Sequence, residues 1–250
     1  MGAGMGAGLE VVRSEQVLTI RVARPEKRNA LDVATSRALA AVLDEVVSDP
    51  RPLVVRSSTR GMFIAGTDID ELRRRSITDS LDRVNGRLYQ RLAEHPAPTI
   101  AVVEGWALGG GCELALACDL RLTTADAQWG LPEVRLGIVP SAGGLTRLTE
   151  LIGRSLATDL VLTGRRIGGA EAYRIGLAQR LIDADRLESQ LSEVLSELLA
   201  AAPLASRLAK EALRVTGDRH RLVDAAAQAL CLDSEDAQAR LSALVERAAP

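Results

Sequence analysis

Apolar positions along the chain alternate between two periods. In VVRSEQVLTIRVARP, starting at Val11, β-branched residues alternate with polar ones on both sides of a short break, which predicts a hairpin. In LDVATSRALAAVLDEVVSDP, Leu39, Val42, Leu43 and Val46 fall at i, i+3, i+4 and i+7. That spacing predicts an amphipathic helix, with Asp32 as its N-cap and Pro50 past its end. PLVVRSS reads as a short buried strand, TRGMFIAGTD as a loop, and IDELRRRS as a helix capped by Asp68. APTIAVVEG is another strand, a helix opens near Gly109–Gly110, and DLRLTTAD returns to strand. Strands alternating with helices imply an α/β fold with crossover connections. From Leu187 the texture changes. Leu187, Leu191, Val194, Leu195 and Leu198 keep helical spacing, and PLASRLAKEAL and SEDAQARLSALVERAA continue as helix. The expected organisation is a disordered leader over residues 1–8, an α/β core over 9–198 and a helical region over 199–250.

Composition narrows the function classes. The 250 residues are 47% hydrophobic and 26% charged, which suits a globular chain of one large domain or slightly more. A net charge of −2 gives no electrostatic footprint for nucleic acid or an anionic membrane. The run Arg73-Arg74-Arg75 is a local exception and reads as a solvated helix face. Three cysteines without CxxC spacing and only two histidines, His95 and His220, argue against a disulfide framework and a metal site. No apolar stretch approaches the roughly 18 residues of a membrane span. The leader MGAGMGAGLE lacks the regions of a signal peptide, and it precedes any strand, so it is no dinucleotide fingerprint. The expectation is a cytoplasmic protein without metal, membrane or nucleic-acid partner.

The candidate chemistry lies in GWALGGGCELALACD, residues Gly105 to Asp119. A strand ends just before it, and its glycines open a helix. The first turn of a helix offers free N–H groups at the positive end of the dipole, and glycine lets a ligand oxygen come close. The run can therefore serve an anion or a developing oxyanion, or simply allow tight helix–strand packing. No GK[ST] follows, so it is not a P-loop. Glu113, in that first turn, reads either as a capping-box residue or as a carboxylate beside an oxyanion-type site. Glu133 follows Pro132 in QWGLPEVRLGIVPSAGGL and also admits a capping reading. Two acids in apolar, glycine-rich settings suggest a paired-carboxylate acid/base site.

RPEKRNAL, FIAGTDI, AVVEGWALGGGCELALACD, WGLPEVRLGIVPSAGGLTRL, LTGRRIGGAEAYRIGLA and LAKEAL occur in this order. Together they resemble the crotonase (enoyl-CoA hydratase/isomerase) family over nearly the whole chain. The resemblance implies a crotonase-like spiral of ββα units with a C-terminal helical region, assembled as a homotrimer or a dimer of trimers. It implies an acyl-CoA thioester substrate and no separate cofactor, coenzyme A being part of the substrate. Backbone N–H groups matching Ala65 and Gly110 would form an oxyanion hole for an enolate. Glu113 would help activate water for attack at C3, and Glu133 would supply the proton to C2. That makes the expected activity hydration of a 2-enoyl-CoA, with fatty acid metabolism as its setting. The rivals are an enoyl-CoA isomerase or another lyase of this type, and a non-catalytic acyl-CoA-binding protein. For CoA and substrate contacts the resemblance offers Arg24, Lys27 and Arg28, the loop Ala65, Gly66, Thr67, Asp68 and Ile69, and Trp129, Pro132 and Ser141. Three departures from the family pattern stand out: Leu244 and Arg247 in the tail, Ser141 where Gly is common, and Trp129 where Phe is usual.

Overall fold

The structure, a computed structural model, describes residues 3–215 and 220–248. Strands β1 (Ala3–Gly6), β2 (Leu9–Arg13) and β3 (Leu18–Val22) form an antiparallel run. The leader is thus corrected: Ala3–Gly6 pairs with Leu9–Val12, because the left-handed Ala7 (φ 49°) and Gly8 (φ 73°) turn it back onto β2. Helix α1 (Val33–Glu45) starts at Asp32, whose carboxylate accepts the Thr35 N–H at 2.7 Å. It leads to β4 (Leu53–Ser57), which pairs in parallel with β3. Three short helices follow, α2 (Ile69–Arg74), α3 (Ile77–Asp82) and α4 (Val84–Ala93). The next strand is β5 (Thr99–Val103), parallel to β4 and buried at every residue. Burial on both faces is why it reads as an unbroken apolar run rather than an alternating one.

After β5 come β6 (Trp106–Leu108) and α5 (Gly110–Ala117), then β7 (Leu120–Thr124) and β8 (Gln128–Gly130). Helix α6 (Gly144–Thr163), β9 (Ile167–Gly168), α7 (Gly169–Arg174), β10 (Arg180–Ile182) and α8 (Leu187–Ala200) complete the body. The large sheet runs β1-β2-β3-β4-β5-β7-β10, and β6-β8-β9 make a small second sheet. Strands of two or three residues are too short to show a period, so this second sheet was not legible in the sequence. Beyond it lie α9 (Pro203–Leu213), α10 (His220–Leu232) and α11 (Glu235–Ala248). The chain divides into two compact units, one ending at Leu191 and one beginning at Ser192. The side chains of Leu244 and Arg247 lie outside the described residues. Among the described residues, no helix is long and apolar enough to cross a membrane.

One buried cation anchors α5 from below. Arg121 is 2% exposed. Its guanidinium donates to the carbonyls of Leu177 (2.7 Å), Ala115, Cys118 and Asp119. Two of these lie at the C-terminus of α5, where helix carbonyls lack intrahelical donors and the dipole favours positive charge. Replacing Arg121 with Met keeps the bulk but strands these acceptors in the interior. Arg121→Met is expected to lower unfolding stability by about 3 kcal/mol, read from the urea midpoint at an unchanged slope.

Candidate active site

The three glycines before Glu113 each answer a different steric demand. Gly109 has φ 50° and ψ −124°, and a Cβ there would stand 3.0 Å from Glu133 Oε1. A Cβ on Gly110 would lie 2.9 Å from Thr67 Oγ1, 3.4 Å from the Tyr89 hydroxyl and 3.5 Å from the Thr67 nitrogen. A Cβ on Gly111 would overlap the Ile64 carbonyl oxygen, at 2.0 Å. The first turn of α5 is therefore pressed against the backbone of Ile64–Thr67, where Leu108 N–H also bonds the Ile64 carbonyl at 3.2 Å. Both sequence readings of the glycine run hold at once: Gly111 serves packing, while Gly110 keeps a polar pocket open.

Two backbone N–H groups face this pocket. Gly110 N–H begins α5 and has no carbonyl one turn back. Thr67 N–H, between the bonded Gly66 carbonyl and Asp68 N–H, has no acceptor among the described residues. The Ala65 N–H, expected as the oxyanion donor, instead donates to the Arg28 carbonyl at 3.1 Å. It is committed to the loop, and Thr67 takes its place as the free donor beside Gly110.

Glu113 is 4% exposed and does not cap its own helix. Its Oε1 reaches the start of α6, accepting N–H bonds from Ala142 (2.8 Å) and Gly144 (2.9 Å). Burial raises its pKa, and those two bonds and Arg147 oppose the rise. Glu133 is 8% exposed, in a 3-10 turn over Pro132–Leu136. Burial pushes it up to about 7, with the nearby Glu113 charge adding to the rise. Its Oε2 is buried without a partner. The two acids are thus inequivalent: burial raises both, and only Glu113 has the rise opposed by N–H donors from the start of α6.

A cavity of about 960 Å³ opens over both acids. Of the residues expected to contact CoA or substrate, Arg28, Ala65, Gly66, Thr67, Ile69, Pro132 and Ser141 line it. The rest lie outside its lining. Arg24 points inward, bonding the Ala30 carbonyl and pairing with Asp32 at 2.6 Å. Lys27 faces Asp70 and Asp68 at 3.7 and 4.0 Å and does not line the cavity. Asp68 is consumed as the α2 cap, accepting the Asp70 and Glu71 N–H groups. Trp129 is fully buried, its indole N–H donating to Thr123 Oγ1 at 3.0 Å. The tryptophan on the cavity is Trp106, 39% exposed, with the Arg28 guanidinium 5.1 Å from its ring centroid. Asn85 and Arg83 also line the cavity and carried no sequence signal, since only the packing of α2–α4 brings them there. Of the Arg73-Arg74-Arg75 run, Arg74 and Arg75 face the cavity rather than bulk solvent alone. Among the described residues, no three His, Cys, Asp or Glu side chains converge to hold a metal ion.

A family profile described as enoyl-CoA hydratase/isomerase matches residues 12–247. This chain belongs to that family. The short-chain-enoyl-CoA hydratase of Clostridium acetobutylicum is 32% identical, over 93% of this chain and 92% of that one. The 2,3-dehydroadipyl-CoA hydratase of Escherichia coli is 37% identical, over 82% of this chain and 81% of that one. The crystal structure of an enoyl-CoA hydratase from Bacillus anthracis superposes with a TM-score of 0.90 at 30% identity, covering 96% of each chain. These neighbours establish the crotonase fold.

In a member of this family, a buried acid with a raised pKa carries a stability signature. The folded state binds the Glu133 proton more tightly than the unfolded chain, so its stabilising effect is complete below the ordinary carboxyl value. It is lost as pH rises through about 7. Glu133→Gln removes the penalty of burying the charge, on the order of 2 kcal/mol above pH 8. The variant is expected to melt a few degrees higher than the wild type at pH 8 and nearly level with it at pH 5, measured by calorimetry.

Proposed function

We infer that the chain is an enoyl-CoA hydratase, adding water across the 2,3 double bond of a 2-enoyl-CoA. The observation that carries this reading is the pairing of two unlike carboxyls with two free N–H groups in one cavity. The thioester oxygen sits between the N–H groups of Thr67 and Gly110, which favour the enolate over the neutral carbonyl. Glu113, whose carboxylate accepts the N–H groups at the start of α6, draws the proton from water as it attacks C3. Glu133, protonated near neutrality, delivers a proton to C2. Arg28 and Trp106 receive the CoA moiety at the mouth. Double-bond migration needs one carboxyl only, so the presence of both supports hydration over isomerisation.

Glu→Gln keeps size and removes the acid/base function. Glu113→Gln is expected to lose hydration by about 10²–10⁴-fold while still binding the thioester, and Glu133→Gln to lose hydration and any isomerisation. Absorbance of the conjugated thioester reads both. Near wild-type hydration by Glu113→Gln would exclude the two-glutamate mechanism. Isomerisation of a 3-enoyl-CoA without hydration by the wild type would establish the rival activity. Hydration should also decline on the alkaline side of about pH 7, as Glu133 loses its proton.

The same reading includes a homotrimer or a dimer of trimers. Exposed Leu204, Leu213 and Leu230 on the C-terminal helices support it, since such side chains favour burial against another subunit. Sedimentation at micromolar concentration should give the mass of a trimer or hexamer; a monomer would count against assembly.

A further inference from the structure

Two hydroxyls stand beside the N–H groups of Thr67 and Gly110. The point where a Cβ on Gly110 would sit lies 2.9 Å from Thr67 Oγ1, 3.4 Å from the Tyr89 hydroxyl and 3.5 Å from the Thr67 nitrogen. Tyr89 is fully buried and does not line the cavity, so its hydroxyl is closed to a ligand. Thr67 and Gly110 both line the cavity. The side-chain oxygen and the backbone nitrogen of Thr67 therefore face Gly110 from the same side.

A buried relay sets the direction of the Thr67 hydroxyl. Ser36 is buried on α1, and its hydroxyl donates to Asn85 Oδ1 at 2.9 Å. Asn85, buried on α4, presents the other end of its amide, Nδ2, to Thr67 Oγ1 at 3.4 Å. An amide nitrogen only donates, so Thr67 Oγ1 is the acceptor in that contact. Its own proton points elsewhere, and among the described residues it has no acceptor. Elements remote in sequence thus converge on one hydroxyl and leave its proton unspent. A hydroxyl that accepts at its oxygen is polarised into a stronger donor. A thioester oxygen that becomes an enolate gains charge and has room for a donor beyond two N–H groups.

We propose that the Thr67 hydroxyl is a third donor to the thioester oxygen, held in direction by Asn85 and Ser36. This rests on the acyl-CoA reading above. The hydroxyl donates a hydrogen bond and keeps its proton. Because the enolate carries more charge on that oxygen than the thioester does, the contact should act on kcat more than on KM. The test measures hydration of a 2-enoyl-CoA and, without turnover, the absorbance titration of bound acetoacetyl-CoA to its enolate. Thr67→Val keeps the branched shape and should lower kcat about 10–100-fold, while raising the apparent pKa of bound acetoacetyl-CoA by about one pH unit or more. Thr67→Ser should restore most of both, and Thr67→Ala replaces Thr67→Val in the comparison if the latter does not fold. Asn85→Ala should cost about severalfold in the wild type and little in Thr67→Val, since its effect passes through the hydroxyl. An enolate titration unchanged by loss of the hydroxyl would overturn the proposal. So would equal losses in Thr67→Val and Thr67→Ser, or a cost of Asn85→Ala undiminished in Thr67→Val. A wild type that neither hydrates enoyl-CoA thioesters nor binds acetoacetyl-CoA would remove the acyl-CoA reading as well, whereas hydration undiminished in Thr67→Val would remove this inference alone.

Discussion

The site depends on one close approach: the first turn of α5 against the backbone of Ile64–Thr67. Side chains on Gly110 or Gly111 would hold these segments apart, since a Cβ on Gly111 would stand 2.0 Å from the Ile64 carbonyl oxygen. The contact brings the N–H groups of Thr67 and Gly110 to one pocket. Glu113 then follows on the same helical turn, and Gly109 keeps room for Glu133. The parallel order β4-β5-β7 of the large sheet, and the pairing of β6 with β8, hold the two segments together from behind.

Polar groups near this contact show how burial is divided between structure and chemistry. Arg121 beneath α5 is fully supplied with carbonyl acceptors, and Asn29 donates to Ser57 and Phe63 and accepts from the Arg24 N–H. Those groups stabilise the fold. In contrast, Glu133 Oε2 and the Tyr89 hydroxyl are buried with no partner. Leaving such atoms unmet is unfavourable by about 1–3 kcal/mol each, and of the residues concerned Glu133 lines the cavity.

Electrostatics then separates the two carboxyls. Both are buried, which favours the protonated form of each. Glu113 recovers part of its charge from the N–H groups at the start of α6, while Glu133 faces no donor but its own backbone. A difference in backbone donors, rather than in residue type, sets the two carboxyls apart.

The sequence by itself determined the order of the main elements, the caps at Asp32 and Asp68, the glycine-rich helix start and the pair Glu113 and Glu133. Periodicity, cap chemistry and short motifs are local, and they are written in neighbouring residues. The tertiary structure alone decided which backbone N–H is free, because Ala65 bonds the carbonyl of Arg28, remote in sequence, and Thr67 does not. It also decided that Trp106 rather than Trp129 meets the cavity, since Trp129 is claimed by Thr123 in the core. Arg24 was equally ambiguous from its motif, and it pairs with Asp32 outside the cavity lining. Tyr89, Arg75 and Arg83 reach the site only through the packing of three short helices. Hydrogen-bond partnership and exposure are properties of the folded neighbourhood, and no local pattern encodes them.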